Sequence, residues 1–497
     1  MTSIVRRHPR RCGCSRAGTG SRARHRATGR SRSIAGAVAV ALLTVAPAAW
    51  SQSGPLTDPT LAKLIEESLA TRPELAEAAA IVRVQSERAP QAGAWPDPML
   101  QFGVQNDSFT SWEVGKMETS FFSIMLSQTF PWPGKLGLRQ EIAELGTGQA
   151  KTAATRARLS AEAEVRRAYL ALLLARDRLA LLDALDDLWR NSAGIARTRY
   201  EIGDGPQSDV LQSQLELNRL KQRRWALQAE ESTSVQTLNR LSGHPLGEPI
   251  VTSTHLRNLG APQVPELEPG VDDALARSPE LAAARLGVTA SEKSVSLAKK
   301  SYFPDLTVTA GVMPRGGGFP VMWLVTVGGP LPIFAGSKQN RAVAESEART
   351  AADHSRVQAI EQVLRLRVNE RRTALSALAE TIRLYQEGLL IQSEATTQST
   401  LAQYKVGKVS FASVLQANAG YITDQDGYLQ SIADSQRILI ASAEVSLDPV
   451  AISGGGLMGS GAPGAGSMGS SAAKGMTTTP GPLGVTPAGP ETSTAGM

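Results

Sequence analysis

Two stretches of almost seventy residues, from about Gly134 to Tyr200 and from Gly336 to Tyr404, contain no proline and are dominated by Ala, Leu, Arg, Glu and Gln. These are good helix formers, and at 1.5 Å per residue each stretch spans on the order of 100 Å. A globular core does not accommodate helices of that length, so they must lie side by side. Within Val165–Trp189, positions 165, 168, 172, 175, 179, 182, 186 and 189 read Val, Ala, Leu, Ala, Leu, Leu, Asp and Trp. That three-four spacing predicts coiled-coil packing, and the small residues in the seam favour close approach.

The two stretches belong to two copies of one unit. Leu69-Ala70-Thr71-Arg72-Pro73-Glu74-Leu75 recurs as Leu275-Ala276-Arg277-Ser278-Pro279-Glu280-Leu281, and Pro96-Asp97 recurs as Pro304-Asp305. Pro131-Trp132-Pro133 returns as Pro330-Leu331-Pro332, and Tyr200-Glu201-Ile202-Gly203 as Tyr404-Lys405-Val406-Gly407. The offsets of 206, 208, 199 and 204 residues keep the same order, as a tandem duplication requires. The repeats span 57–250 and 271–450, with a Pro-containing linker at 251–270. Each is expected to run helix, strand, strand, long helix, glycine turn, helix.

Charge and cysteine usage narrow the function. Residues 1–48 hold ten Arg and no acidic residue, so the remainder carries 52 − 10 = 42 basic against 46 acidic side chains, a net of −4. The basic excess therefore sits in the leader, and nucleic acid is not an expected partner. Arg-rich residues followed by the apolar run Ile34–Val45 and then Ala46-Pro47-Ala48 read as a secretory signal peptide, assigned to 1–51. After Cys14 there is no cysteine, and beyond the leader the only histidines are His244, His255 and His354. Disulfide frameworks and Cys-zinc sites are excluded there, and no cofactor is expected. No P-loop, H-E-x-x-H or G-x-S-x-G motif occurs, so an enzyme is not expected.

Four short segments carry a period-two pattern. Leu100, Phe102 and Val104 alternate with Gln101, Gly103 and Gln105, and Phe122, Ile124, Leu126 and Phe130 with Ser123, Ser127 and Thr129. The second copy repeats it at Leu306–Val312 and Val321–Gly328. Such alternation marks strands with one apolar face. It suits a soluble sheet packed on a helix as well as a tilted membrane strand of about 9–11 residues. Export, with no long apolar helix after the leader, favours the membrane. Four strands cannot close a barrel, and an open edge cannot sit in lipid, so several chains must pool their strands. Three chains would give twelve strands, wide enough for a conduit.

Together these landmarks resemble the TolC family of outer-membrane efflux proteins over about 57–450. The resemblance implies a mainly α fold with a β-barrel contribution, in which long coiled-coil helices form a periplasmic α-barrel and each chain adds four transmembrane strands. It implies a homotrimer in the outer membrane of a Gram-negative bacterium, contacting outer-membrane lipid and extending far into the periplasm. Its implied partners are a periplasmic adaptor and an inner-membrane, proton-driven exporter of the resistance–nodulation–division class. Gln128–Arg139 is similar to the barrel-to-helix joint of the heavy-metal branch, which implies metal cations as cargo. A duct for drugs or for type I protein secretion is the alternative within the family. A soluble periplasmic coiled-coil adaptor or scaffold is the alternative outside it.

Residue by residue, the joint comprises Pro131, Trp132, Pro133 and Gly134 in copy one and Pro330, Pro332 and Gly336 in copy two. Proline ends a strand ladder and suits a helix start, while glycine lets the chain bend. Gly203 and Gly407 suit helix C-termini, with Ser208 and Ser410 as expected caps of the following helices. The resemblance assigns these hairpins to the periplasmic tip, where the adaptor docks and the tube narrows. Tyr200, Gly203, Asp209, Tyr404, Gly407, Ser413 and Gln416 are its candidate residues. Val409, Ser413 and Gln416 stand where multidrug-type members place an arginine and two aspartates, so a gate here must rest on other contacts. Residues 453–497, rich in Gly, Ser, Ala, Thr and Pro, are expected to be disordered. Met458, Met468 and Met476 in that tail are thioethers of the type that suits Cu(I) or Ag(I), against the plainer reading of a flexible tail.

Overall fold

The computed structural model describes residue 56 and residues 58–450. The predicted leader (1–51) and tail (453–497), with Met458, Met468 and Met476, lie outside the described residues. Each copy opens with two helices: α1 (Pro59–Thr71) and α2 (Pro73–Gly93), then α5 (Leu267–Arg277) and α6 (Pro279–Lys299). Expected as single stretches, both break just before a proline, at Arg72 and Ser278, which sit in extended backbone. Proline disfavours helical geometry in the residue before it and is well placed at a helix start. Ser278 also caps α6, its Oγ accepting from the Leu281 N–H at 3.2 Å.

The strands are β1 (Met99–Gln105), β2 (Phe121–Phe130), β3 (Leu306–Met313) and β4 (Met322–Gly328). They form one antiparallel sheet in sequence order. The register places Phe102 opposite Ile124, Ile124 opposite Val312, and Val312 opposite Trp323. Directly opposed residues share a face, so Phe102, Ile124, Val312, Trp323 and the apolar residues two positions from each gather on one side, while Met125, Leu324 and the Met313–Met322 pair lie on the other. The first side is exposed, with Phe102 at 72% and Trp323 at 78%. On the other face, hydroxyls bridge the strands: Thr129 to Thr307 and Thr309 to Ser127, each at 3.1 Å. At roughly 3.3 Å per residue, seven to ten residues span about 23–33 Å, matching an apolar band ~25 Å tall.

From the sheet, copy one continues into α3 (Lys135–Glu201), unbroken for 67 residues, then α4 (Gln207–Ser242). Copy two has α7 (Gln339–Leu384), α8 (Leu390–Lys405) and α9 (Phe411–Glu444). The expected single helix from Gly336 is therefore divided, because Tyr385–Leu389 forms a π turn. There the Tyr385 ring meets Tyr428 edge-on at 6.2 Å, and the neighbouring Gln386 donates to the Tyr428 hydroxyl at 2.9 Å. Nearest the sheet, α3 packs between α2 and α6, with α7 beyond α6; farther along it packs between α4 and α9, with α8 beyond α9.

The main apolar core lies midway along α3, where Val165, Tyr169, Leu172 and Leu173 meet Leu238 of α4 and Ile432 of α9. The predicted seam is buried at Val165, Leu172, Ala175, Leu182 and Trp189. Ala168, Leu179 and Asp186 are only half-buried; Asp186 pairs with Arg190, and Leu185 takes the buried place beside it. The linker is lashed to this core through buried Asp177, which accepts from the Leu256 N–H at 2.6 Å and meets His255 Nδ1 at 2.7 Å. Asp58 does the same for the start of α1. It accepts from the Tyr169 hydroxyl at 2.7 Å and the Thr60 N–H at 2.9 Å. Burial opposes its charge, but these hydrogen bonds and those from Ser253 and Thr254 prevail and lower its pKa to about 2.

Candidate functional site: the paired helix tips

The two hairpin turns farthest along the helices from the sheet are built alike. In the first, Gly203 adopts φ +79°, its N–H donates to Tyr200 O at 3.0 Å, and the Asp204 N–H donates to Arg199 O at 2.8 Å. In the second, Gly407 adopts φ +72°, its N–H donates to Tyr404 O at 3.0 Å, and the Lys408 N–H donates to Gln403 O at 3.0 Å. Both are Schellman motifs, which need a residue comfortable in the left-handed region and so select glycine. The helices that follow start differently from expectation. Ser208 lies inside α4, whose N-cap is Pro206; Ser410 is at the N-cap of α9, but its hydroxyl meets the Ser413 hydroxyl at 3.3 Å rather than a backbone N–H. The ring of Pro206 fixes φ at the entry to α4, and no side chain caps that helix.

Three polar residues tie one tip to the other. The Tyr404 hydroxyl donates to Asp209 Oδ2 at 2.8 Å, joining the end of α8 to the first turn of α4. Arg199 on α3 lies with its guanidinium 4.8 Å from the centre of the Tyr404 ring and donates through Nη1 to Tyr404 O at 2.9 Å. The same guanidinium holds its own turn, donating through Nη2 to Asp204 O at 2.9 Å and pairing with the Asp204 carboxylate at 3.1 Å. Tyr404 is fully buried, flanked by Phe411 at 5.3 Å and packed in a cluster with Leu185, Trp189, Leu220 and Val414. Burial, then the Asp209 hydrogen bond and charge, raise its phenol above the ordinary tyrosine range, so it remains a proton donor throughout the physiological range.

The structure brings Asp209, Tyr404 and Gly407 of the candidate set into this cluster, with Gly203 closing the neighbouring turn. Tyr200 does not join: it is exposed. Ser413 and Gln416 line a cavity of about 490 Å³ between α8 and α9, beside Thr396, Gly420 and Tyr421. Arg199 and Asp204 were missed by sequence reasoning. The available signal was the arginine directly before the copy-one tyrosine, where copy two has Gln403.

The joint at the opposite end is equally specific. Trp132 stacks on Phe303 with centroids 4.8 Å apart and planes 14° from parallel, and its backbone N–H donates to Asp305 Oδ1 at 2.7 Å. Buried Lys135 donates to the same oxygen at 2.8 Å and to Phe303 O at 2.8 Å. Gly134 is the left-handed N-cap of α3. Gly336 lies in a turn without that conformation, because the copy-two joint is longer and bends over more residues. Among the described residues there is no cluster of three or more His, Cys, Asp or Glu that could hold a metal ion.

A family model described as "Outer membrane efflux protein" matches residues 64–244 and 270–441, one segment in each copy. The chain belongs to the outer membrane efflux protein family. Its relatives include the nickel and cobalt resistance protein CnrC of Cupriavidus metallidurans, 28% identical over 65% of this chain and 74% of that one. The nickel-cobalt-cadmium resistance protein NccC of Alcaligenes xylosoxydans xylosoxydans is 26% identical over 65% and 71%. Among solved structures, CusC aligns at a TM-score of 0.65 with 18% identity, covering 79% of this chain and 93% of that chain. The Campylobacter jejuni outer membrane channel CmeC aligns at 0.63 with 16% identity, over 78% and 86%. The efflux protein is thus an outer-membrane protein of mainly helical fold, built as a tandem repeat with a small antiparallel sheet.

Proposed function

We propose that this efflux protein is the exit duct of a tripartite pump of the resistance–nodulation–division type, and that its cargo is heavy-metal cations. The observation that carries the duct is the sheet: one continuous exposed apolar face, both edges open, continuing into helices ~100 Å long. Open edges are not tolerated in lipid. Three copies pooling twelve strands would remove them and leave a lumen lined by the opposite face, where the Ser and Thr hydroxyls lie among Met125 and Leu324. No step of such a duct needs catalysis or a cofactor, since a proton-driven inner-membrane exporter supplies the energy and a periplasmic adaptor bridges to it.

The cargo assignment draws on the relatives, whose names specify nickel, cobalt and cadmium resistance. We place adaptor docking and the gate at the tips. Tyr200, Ser413 and Gln416 offer polar surface there, and the Arg199–Tyr404–Asp209 contacts hold the two hairpins together. The Pro131–Gly134 and Pro330–Gly336 segments are assigned to turning the chain from membrane strand into periplasmic helix.

Gene deletion tests this. Growth inhibition by nickel, cobalt, zinc, cadmium, copper and silver should increase, while tolerance of dyes and detergents stays unchanged. Sensitivity to organic compounds alone would reassign the cargo, in line with a further relative named for fusaric acid resistance. Release of the mature protein without detergent would refute the duct itself.

A further inference from the structure

The duplication leaves one of two equivalent joints unmade. Where β2 runs beside β3, the end of β2 meets the segment that leads into β3. There Trp132 lies on Phe303, and Lys135 is held by Asp305. By the repeat, the segment after β4 corresponds to Pro131–Lys135, and Trp95-Pro96-Asp97 before β1 corresponds to Phe303-Pro304-Asp305. In one chain these two segments lie at opposite edges of the sheet, because the strand order is β1-β2-β3-β4.

Both are left conspicuously open. After β4, Leu331, Ile333 and Phe334 form an apolar cluster that is 74%, 78% and 77% exposed. Lys338 beyond them is exposed and makes no ion pair among the described residues. Before β1, Trp95 touches Phe130 edge-on at 5.8 Å yet stays 60% exposed, and Asp97 is exposed, with no hydrogen-bonding or charged partner among the described residues. An apolar cluster followed by a lone lysine at one edge thus faces an aromatic followed by a lone aspartate at the other. The made joint shows how such halves fit.

We infer that these halves join between copies of this chain: Leu331, Ile333 and Phe334 seat on Trp95 of the next copy, and Lys338 pairs with its Asp97. This rests on the reading that several copies pool their strands, and names the contact that fixes their order. The strand faces agree. An antiparallel β4–β1 pairing that sets Val325 and Val327 against the Leu100, Phe102 and Val104 side keeps the apolar face continuous. The occupant is a second copy rather than lipid because lipid offers the lysine and aspartate no fixed partner, whereas the duplicated joint offers both.

Cross-linking of the full-length protein extracted in mild detergent tests the contact. Cys12 and Cys14 are replaced by Ser, and Asp97→Cys is combined with Lys338→Cys. Within one chain the two sites lie on opposite edges, roughly 14 Å apart for three strand spacings, too far for a disulfide. A methanethiosulfonate reagent with a single-carbon spacer, whose bridge is far shorter than that separation, should therefore yield dimers and a closed trimer, and each single-cysteine variant at most a dimer. Light scattering on the parent gives the assembly state independently. A trimer that fails to cross-link overturns the joint and leaves pooling intact; a monomer overturns both.

A second arm uses charge reversal. Asp97→Lys and Lys338→Asp should each lower the temperature at which the oligomer dissociates, and the double reversal should restore it. Loss without restoration, with helical circular dichroism unchanged, would overturn the pairing. If nitroxide-labelled lipids quench a Phe334→Trp variant in membranes, the apolar cluster belongs to the bilayer and the joint is refuted.

Discussion

Replacing Arg199 with alanine should loosen the tip. Its guanidinium makes a charged hydrogen bond across the hairpins to Tyr404 O and stacks on the Tyr404 ring. A hydrogen bond to a charged group is worth about 1.5–3 kcal/mol, and a cation–π contact about 0.5–2 kcal/mol. The side chain is 14% exposed, so water regains only part of this when the arginine goes. Taking about 2 kcal/mol for the cross-hairpin contacts, the balance between joined and parted tips shifts roughly thirty-fold per chain. In planar bilayers, the Arg199→Ala channel should spend correspondingly more time conducting. Arg199→Lys, which keeps the charge but not the planar fork, should fall between. Asp204→Asn controls for damage to the first turn alone, since it removes the in-turn ion pair and spares the bond to Tyr404; it should conduct like the parent. If Arg199→Ala conducts no more than the parent while its melting temperature and helical signal are intact, the arginine does not hold the tips together.

Three further outcomes follow from the geometry. Asp58 has its pKa lowered from 3.8 to about 2 in the folded state, so it stabilises the fold above pH ~4 and loses that contribution as pH falls through 2. The shift corresponds to about 2 kcal/mol, so Asp58→Asn should lower the melting temperature at pH 7 and flatten its acid dependence between those values. Gly407→Ala should cost more stability than Gly203→Ala in thermal melts. Both pay about 1–2 kcal/mol for a left-handed alanine, but at Gly407 the new Cβ also comes 3.2 Å from Arg199 Nη2, whereas Gly203 has open space. Phe102→Arg, on the exposed apolar face, should cost about 2–4 kcal/mol at mid-membrane and deplete the protein from the outer-membrane fraction. Thr309→Arg on the opposite face should insert normally; equal loss for both would refute the assignment of faces.

Much of this fold is local enough to be read from residues. Strand alternation survives pairing because a register that keeps Phe102, Ile124, Val312 and Trp323 in line is the only kind that gathers the apolar side chains on one face. The long helices follow from composition and the absence of proline. The breaks at Arg72 and Ser278 are also legible, since each precedes a proline, and the same residues double as landmarks of the repeat. The π turn at Tyr385–Leu389 has no such local cause. Its neighbours Gly427 and Tyr428 lie on α9, and a Cβ at Gly427 would fall 2.5 Å from the Tyr385 hydroxyl. A contact made across more than forty residues is invisible to helix propensity.

The tip shows where reading by repeat misleads. Tyr200 and Tyr404 occupy the same place in the same motif, yet one is exposed and the other buried. The residue seven positions on explains the difference: copy two has Phe411, which forms a wall for the Tyr404 ring, and copy one has the polar Gln207. With an aromatic neighbour, burying the phenol gains apolar contact, and Asp209 satisfies the hydroxyl that burial would otherwise strand. Without it, burying Tyr200 would gain less, and the ring stays in water. Arg199 then uses the backbone and ring of the buried tyrosine across 205 positions of sequence. Duplication supplied two equivalent turns, and a few substitutions beside them made one the anchor and the other its clasp.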